Sequence, residues 1–154
     1  WLPAFKKIRR ISAKKKADSF MGSDLSYEDM TSRQNKDYDF IIIKEESFRN
    51  QSCYLLQSKP KNGIKSEYSR HLTWITKDSY LPLKEESYDN KNKLLKMKEF
   101  KYILMDSFNL VNEIFVENIQ KKSNTRLTLS NLRINTNVKD NLFQEKNMKR
   151  LPRK

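Results

Sequence analysis

Apolar and polar residues alternate with a period of two along most of the chain, in runs of six to twelve separated by short polar stretches. That is the pattern of strands in an antiparallel sheet, not of helices. Runs over residues 38–46 and 52–59 are separated by Phe48-Arg49-Asn50-Gln51, polar enough for a hairpin turn. Runs over 71–76 and 80–88 follow, joined by Lys77-Asp78-Ser79, and a run over 94–105 comes after the turn signal Asp89-Asn90-Lys91-Asn92. Residues 110–119 and 125–134 close the series, with 120–124 as a polar loop. In the second run Cys53, Leu55 and Gln57 share one face and Tyr54, Leu56 and Ser58 the other. In the last, Leu127 and Leu129 share a face, which Leu132 and Ile134 join only through a bulge near Ser130-Asn131. Phe40-Ile41-Ile42-Ile43 reads most simply as a central strand buried on both faces. The spacing predicts a mainly β (α+β) fold, a β-meander with one face packed on something apolar.

Two helical pieces are expected beside the sheet. Residues 24–33 follow Gly22, which permits a sharp turn, and Ser26 with Asp29 has capping-box spacing. A short turn over 139–145 would tuck Leu142 and Phe143 under the sheet edge before a basic, frayed tail at 146–154. Residues 4–12 carry Phe5, Ile8 and Ile11 and fit either a strand or a helix.

Composition narrows the function classes. A length of 154 residues suits one domain, and 8 Phe, 7 Tyr and 2 Trp supply a core although the hydrophobic fraction is 36% and the charged fraction 33%. The formal net charge of +13 would attract a nucleic acid, an anionic lipid surface or an acidic protein. Much of the excess is Lys scattered beside Asn and Ser, a composition that an AT-rich genome also produces. Cys53 is the single cysteine and His71 the single histidine, so no disulfide, structural metal or cofactor is expected. The longest apolar run, Phe40 to Ile43, is far short of the roughly 20 residues of a membrane helix. A start at Trp1 without Met or signal peptide reads as a fragment lacking its N-terminal part.

Two stretches carry a family resemblance. Trp1-Leu2-Pro3-Ala4-Phe5-Lys6-Lys7-Ile8-Arg9-Arg10-Ile11 and Ser19-Phe20-Met21-Gly22-Ser23-Asp24-Leu25-Ser26-Tyr27-Glu28-Asp29-Met30 resemble the signature of the outer-membrane lipoprotein-sorting protein family, of LolA/LolB-like fold. Cys53-Tyr54-Leu55-Leu56, Tyr80-Leu81-Pro82-Leu83-Lys84 and Asp140-Asn141-Leu142-Phe143 extend it across the chain. The resemblance implies a curved antiparallel sheet, an unclosed half-barrel, with helices covering its concave side over an apolar cavity for acyl chains. It implies a non-enzymatic carrier of lipoprotein or a lipid-like ligand in the periplasm or cell envelope, working as a monomer. A structural module partnering a membrane transporter is the alternative. Nucleic-acid binding is a weaker one, because no recognisable motif accompanies the charge.

Candidate residues follow from these readings. Trp74, Leu81, Leu83, Leu95, Met97, Phe100, Leu104, Ile114, Val116, Leu127 and Leu129 are candidates for the cavity lining, although a one-residue register shift exchanges the faces. Phe20, Met21, Gly22, Ser23, Asp24, Tyr27, Glu28 and Asp29 form the motif, read as structural or as a lid. Within it Asp29 would cap, Glu28 would pair with a base such as Arg9 or Arg10, and Phe20, Met21, Leu25, Tyr27 and Met30 would pack on the sheet. Glu28 and Asp29 as an acid–base pair is disfavoured, since neighbours on a helix diverge and no nucleophile accompanies them. Lys6, Lys7, Arg9, Arg10, Lys14, Lys15 and Lys16 have the density of a patch for anionic head groups or an acidic transporter face. His71 reads as a hydrogen-bonded or surface residue ahead of a pH sensor, and Cys53 as a buried strand residue ahead of a reactive thiol.

Overall fold

Seven strands pair in chain order, each antiparallel to the one before: β1 (Tyr38–Phe48), β2 (Gln51–Pro60), β3 (Tyr68–Thr76), β4 (Pro82–Asp89), β5 (Leu94–Met105), β6 (Phe108–Asn118) and β7 (Ser123–Thr128). The computed structural model describes residues 15–147. Among the described residues β1 and β7 do not pair with each other, so the sheet stays open. This is the mainly β antiparallel fold the alternation predicts, left unclosed as the resemblance implies. Residues 15–130 form one compact unit and residues 131–147 belong to a second. The strands and the segment that covers them belong to the first.

Turn chemistry sets the register. Arg49 and Asn50 join β1 to β2 with φ of 50° and 62°, and Asp106 and Ser107 join β5 to β6 with φ of 45° and 68°. Two-residue loops with both positions left-handed match the twist of the flanking strands. Asp-Ser is a weak turn signal, which is why β6 begins at Phe108 and not at the expected 110.

Bulges then decide which side chains share a face. Register shifts interrupt the ladders between Ile42 and Lys44 and between Tyr68 and Arg70. The second turns Tyr68 onto the face of His71, their rings 4.7 Å apart. No slip near Ser130-Asn131 is needed, because β7 ends at Thr128.

Three further expectations give way. Residues 24–33 hold a turn and not a helix, because their polar side chains bond to the sheet. Phe40, Ile41, Ile42 and Ile43 lie on the edge strand and are 44%, 57%, 57% and 49% exposed, since β1 has only β2 as neighbour. Leu142 and Phe143 sit in a four-residue 3-10 turn, Asp140–Phe143, too short to bury an apolar face, and both are exposed.

The core is unusual in composition. Leu25, Tyr38, Cys53, Leu55, Tyr68 and Val116 are its buried hydrophobic residues, while Ser58, His71, Thr73, Glu85, Ser87, Lys96, Lys98 and Asn118 are buried on the strands. Ladder partners place most of these polar groups on one face: His71 opposite Ser58 and Ser87, Thr73 opposite Glu85, Glu85 opposite Lys98, and Lys96 opposite Asn118. A buried polar face requires partners for every charge. Residues 15–34 supply them.

Candidate functional site

The covering segment starts as a tight loop. Met21 and Gly22 both adopt left-handed φ, 52° and 77°, and the Phe20 amide donates to the Leu25 carbonyl at 2.7 Å. The turn after it is closed by the expected cap: the Ser26 amide donates to Asp29 Oδ2 at 2.8 Å and the Asp29 amide to Ser26 Oγ at 3.2 Å. Leu25 is buried and Phe20 meets Tyr27 edge to face, with centroids 5.6 Å apart. Met21 is 85% exposed and so does not pack on the sheet as expected, while Met30 is 46% exposed.

Each acidic residue of this motif then reaches a different part of the sheet or its connections. Asp24 accepts from Ser123 Oγ at 2.6 Å and Thr125 Oγ1 at 2.9 Å, tying the segment to β7. Glu28 accepts from the Glu67 amide at 3.0 Å and from Ser66 Oγ, anchoring it to the β2–β3 connection. Its expected partners, Arg9 and Arg10, lie outside the described residues. Asp29 accepts from Lys96 Nζ at 3.0 Å, from Tyr68 OH at 2.9 Å and from Lys98 Nζ. Just beyond, Arg33 clasps Glu85 through both guanidinium nitrogens at 2.6 and 2.8 Å.

The result is a buried ionic network under the segment. Lys98 Nζ also reaches Glu85 at 3.0 Å, and Lys96 Nζ reaches Glu67 at 3.5 Å. Three cations, Lys96, Lys98 and Arg33, therefore face three carboxylates, Asp29, Glu85 and Glu67. Burial alone would raise the Asp29 carboxyl, but the ammonium groups of Lys98 and Lys96 hold it well below the carboxylate range. Glu85 is likewise held low against its burial by Lys98 and Arg33. His71 is fully buried, its Nδ1 2.9 Å from Ser87 Oγ and 3.7 Å from Glu85 Oε1. Its desolvation drives its pKa from 6.5 to about 3, so the ring is neutral at physiological pH.

Beside the network the segment leaves an open cleft of about 300 Å3. Leu25, Met30, Phe100 and Ile114 form apolar walls, and Asp29, Arg33, Glu85 and Lys98 its charged floor. Every one of these floor charges already has a partner in the ionic network.

The expected lining residues divide between two faces. Phe100 pairs with Ile114, Ile114 with Leu127 and Val116 with Lys98, placing all four apolar residues on the covered face. Trp74 and Met97 stand on the other face, where Trp74 Nε1 donates to Glu46 at 2.8 Å and Lys84 Nζ lies 4.4 Å from the indole. Leu95 alternates with Lys96 onto that same outer face. Leu83 is a half-buried residue of β4, Leu81 precedes that strand, Leu104 is 73% exposed near the β5–β6 turn, and Leu129 lies past β7 at 42%. Of the basic patch, Lys6, Lys7, Arg9, Arg10 and Lys14 lie outside the described residues. Lys15 and Lys16 accept through their carbonyls from Asp18 and Glu28 amides.

Sequence reasoning singled out none of Arg33, Tyr68, Glu85, Ser87, Lys96 and Lys98. The signal was present in Leu95-Lys96-Met97-Lys98, where the period of two puts both lysines on one face opposite Glu85 and Ser87. Ser26→Ala removes the cap of the turn that carries Asp29. It should cost about 1 kcal/mol, read as a lower urea midpoint with an unchanged m-value.

A family model with the description "-like: Uncharacterized protein" matches residues 1–150. No curated protein matches the sequence. Among solved structures, a domain assigned to an outer membrane lipoprotein-sorting protein of Vibrio parahaemolyticus is 36% identical with a TM-score of 0.91, covering 97% of this chain and 64% of that one. A DUF1329 family protein of Desulfovibrio piger is also 36% identical, with a TM-score of 0.89 over 94% of this chain and 61% of that one. A LolA superfamily protein of Nitrosomonas europaea shares the fold at 17% identity, with a TM-score of 0.65 over 86% of this chain and 60% of that one. The chain thus spans less than two thirds of the length of each of these proteins.

Proposed function

Because the chain belongs to the outer-membrane lipoprotein-sorting protein family, we propose that it is a non-enzymatic carrier domain of the periplasm or cell envelope. It takes an acyl chain of a lipoprotein or lipid-like ligand and delivers it to or from a membrane. The observation that carries this reading is the cleft walled by Leu25, Met30, Phe100 and Ile114 between the motif segment and the sheet. Binding there would come from burying methylenes, at about 0.8 kcal/mol each. The half-exposed Met30 stands at its mouth, on a turn whose geometry is fixed by Ser26 and Asp29 and not by Met30 itself.

Lipid extracted after native purification and identified by mass spectrometry should accompany the protein, and a fluorescent acyl probe should bind it. Met30→Arg places a charge at the cleft mouth and should weaken the probe about tenfold, the equivalent of two buried methylenes, without unfolding the chain. No lipid and no probe binding would sink the carrier reading. A specific observation then favours the second reading, a scaffold for a membrane transporter: ion pairs, not empty apolar space, fill the centre of the covered face.

A further inference from the structure

In a seven-strand meander every second connection falls at the same end of the sheet. The β2–β3, β4–β5 and β6–β7 connections lie at one end together with the start of β1. That end carries Lys36, Lys59, Lys61, Lys65, Lys91, Lys93, Lys121 and Lys122, all exposed. Among the described residues only Lys61 has a carboxylate within ion-pair reach, Asp39 at 4.0 Å.

Three of the acidic groups nearby, Asp89, Glu67 and Glu28, are occupied elsewhere. Asp89 accepts from the amides of Lys91 and Lys93 and from the Gln120 side chain, closing its own turn. Glu67 faces Lys96, and Glu28 holds Ser66 and the Glu67 amide. At the opposite end of the strands and on the outer face the basic residues behave differently. Lys44 pairs with Glu46, Arg49 with Glu99, Lys77 with Glu45, Lys84 with Glu86, and Lys101 and Arg126 with Glu113.

The excess charge is therefore polarised along the strand direction, and it is not a uniform coating. Like charges crowded at one end repel one another and are relieved only by anions brought from outside. We propose that this end docks on an anionic lipid bilayer surface. Lysines suit such a partner, because their compact, mobile ammonium groups meet a layer of head groups that has no fixed geometry. Ile64 and Ile119, 39% and 38% exposed, are the large apolar residues exposed on these three connections. They form no aromatic platform on which nucleic-acid bases could stack.

The inference stands on surface charge and not on the acyl cleft, so the two fail separately. Sedimentation of the full chain with phosphatidylcholine vesicles, with and without phosphatidylglycerol, tests it. Binding is expected only with phosphatidylglycerol and should fall steeply as salt is added. Each lysine near an anionic surface contributes about fivefold in affinity, so Lys121→Glu with Lys122→Glu should weaken binding by about 25-fold. Lys44→Glu with Lys101→Glu changes net charge equally at the other end and should leave binding unchanged, with both variants melting as folded proteins. Equal losses in the two variants would overturn the proposal. So would no binding to anionic vesicles at low salt, or tighter retention on single-stranded DNA than on the vesicles. A protein that sediments but binds no acyl probe keeps this inference and loses the carrier reading.

Discussion

Replacing Asp29 by Asn should cost about 3 to 5 kcal/mol, more than any other single change in the covering segment. Asp29 is almost inaccessible, with a side-chain exposure of 1%, and it answers two lysines whose side chains are each 5% exposed. The amide keeps the shape and the Ser26 cap acceptor, but it leaves Lys96 with only Glu67 and Lys98 with only Glu85 as anions. An ammonium buried without sufficient counter-charge is the expensive outcome, because water cannot reach it. Urea unfolding followed by far-UV circular dichroism gives the measurement. A loss below about 1 kcal/mol would show that the network is solvated in solution and that Asp29 is not its keystone.

Acidification should unfold the protein in two stages, and the first belongs to His71. Its folded pKa is about 3 against an ordinary 6.5, so between those values the unfolded chain binds a proton that the native state refuses. Stability therefore falls as pH drops below 6.5, by about 3 kcal/mol between pH 7 and pH 4. Asp29 and Glu85 have folded values depressed below 3.8 and 4.5, so their contribution is full above those values and is lost only as pH falls further. Free energies of unfolding across this range should slope downward from pH 6.5 and steepen below 4.5. His71→Gln should flatten the first limb and leave the second. A flat profile from pH 7 to pH 5 in the parent protein would contradict the buried, neutral ring.

The meander was legible because each strand announces itself locally, through alternation and a polar turn. What alternation cannot supply is which face is covered. Leu95 and Met97 look like the inward set beside Lys96 and Lys98, and the structure inverts that choice: the lysines turn inward, where Asp29 and Glu85 await them. Those partners lie 67 and 13 residues away in sequence, beyond any local pattern. Residues 24–33 misled for a related reason. Ser26 and Asp29 do form the cap that their spacing announces, yet only a turn and no helix follows, because Asp29 and Arg33 are spent on the sheet. Phe40 to Ile43 misled through hydrophobicity, since an edge strand and a central strand of that composition read alike.

The order of the strands also has a kinetic side. Every ladder joins consecutive strands, so the sheet can close hairpin by hairpin with small loops. The clamps of the covering segment close far larger ones: Asp29 to Lys98 spans 69 residues and Asp24 to Thr125 spans 101. Contacts that distant are the last to be rewarded during folding. The segment is thus a late addition that locks a preassembled sheet. Interactions absent from the transition state act by slowing escape from the native state. The buried ion pairs then govern how long the fold lasts more than how quickly it forms.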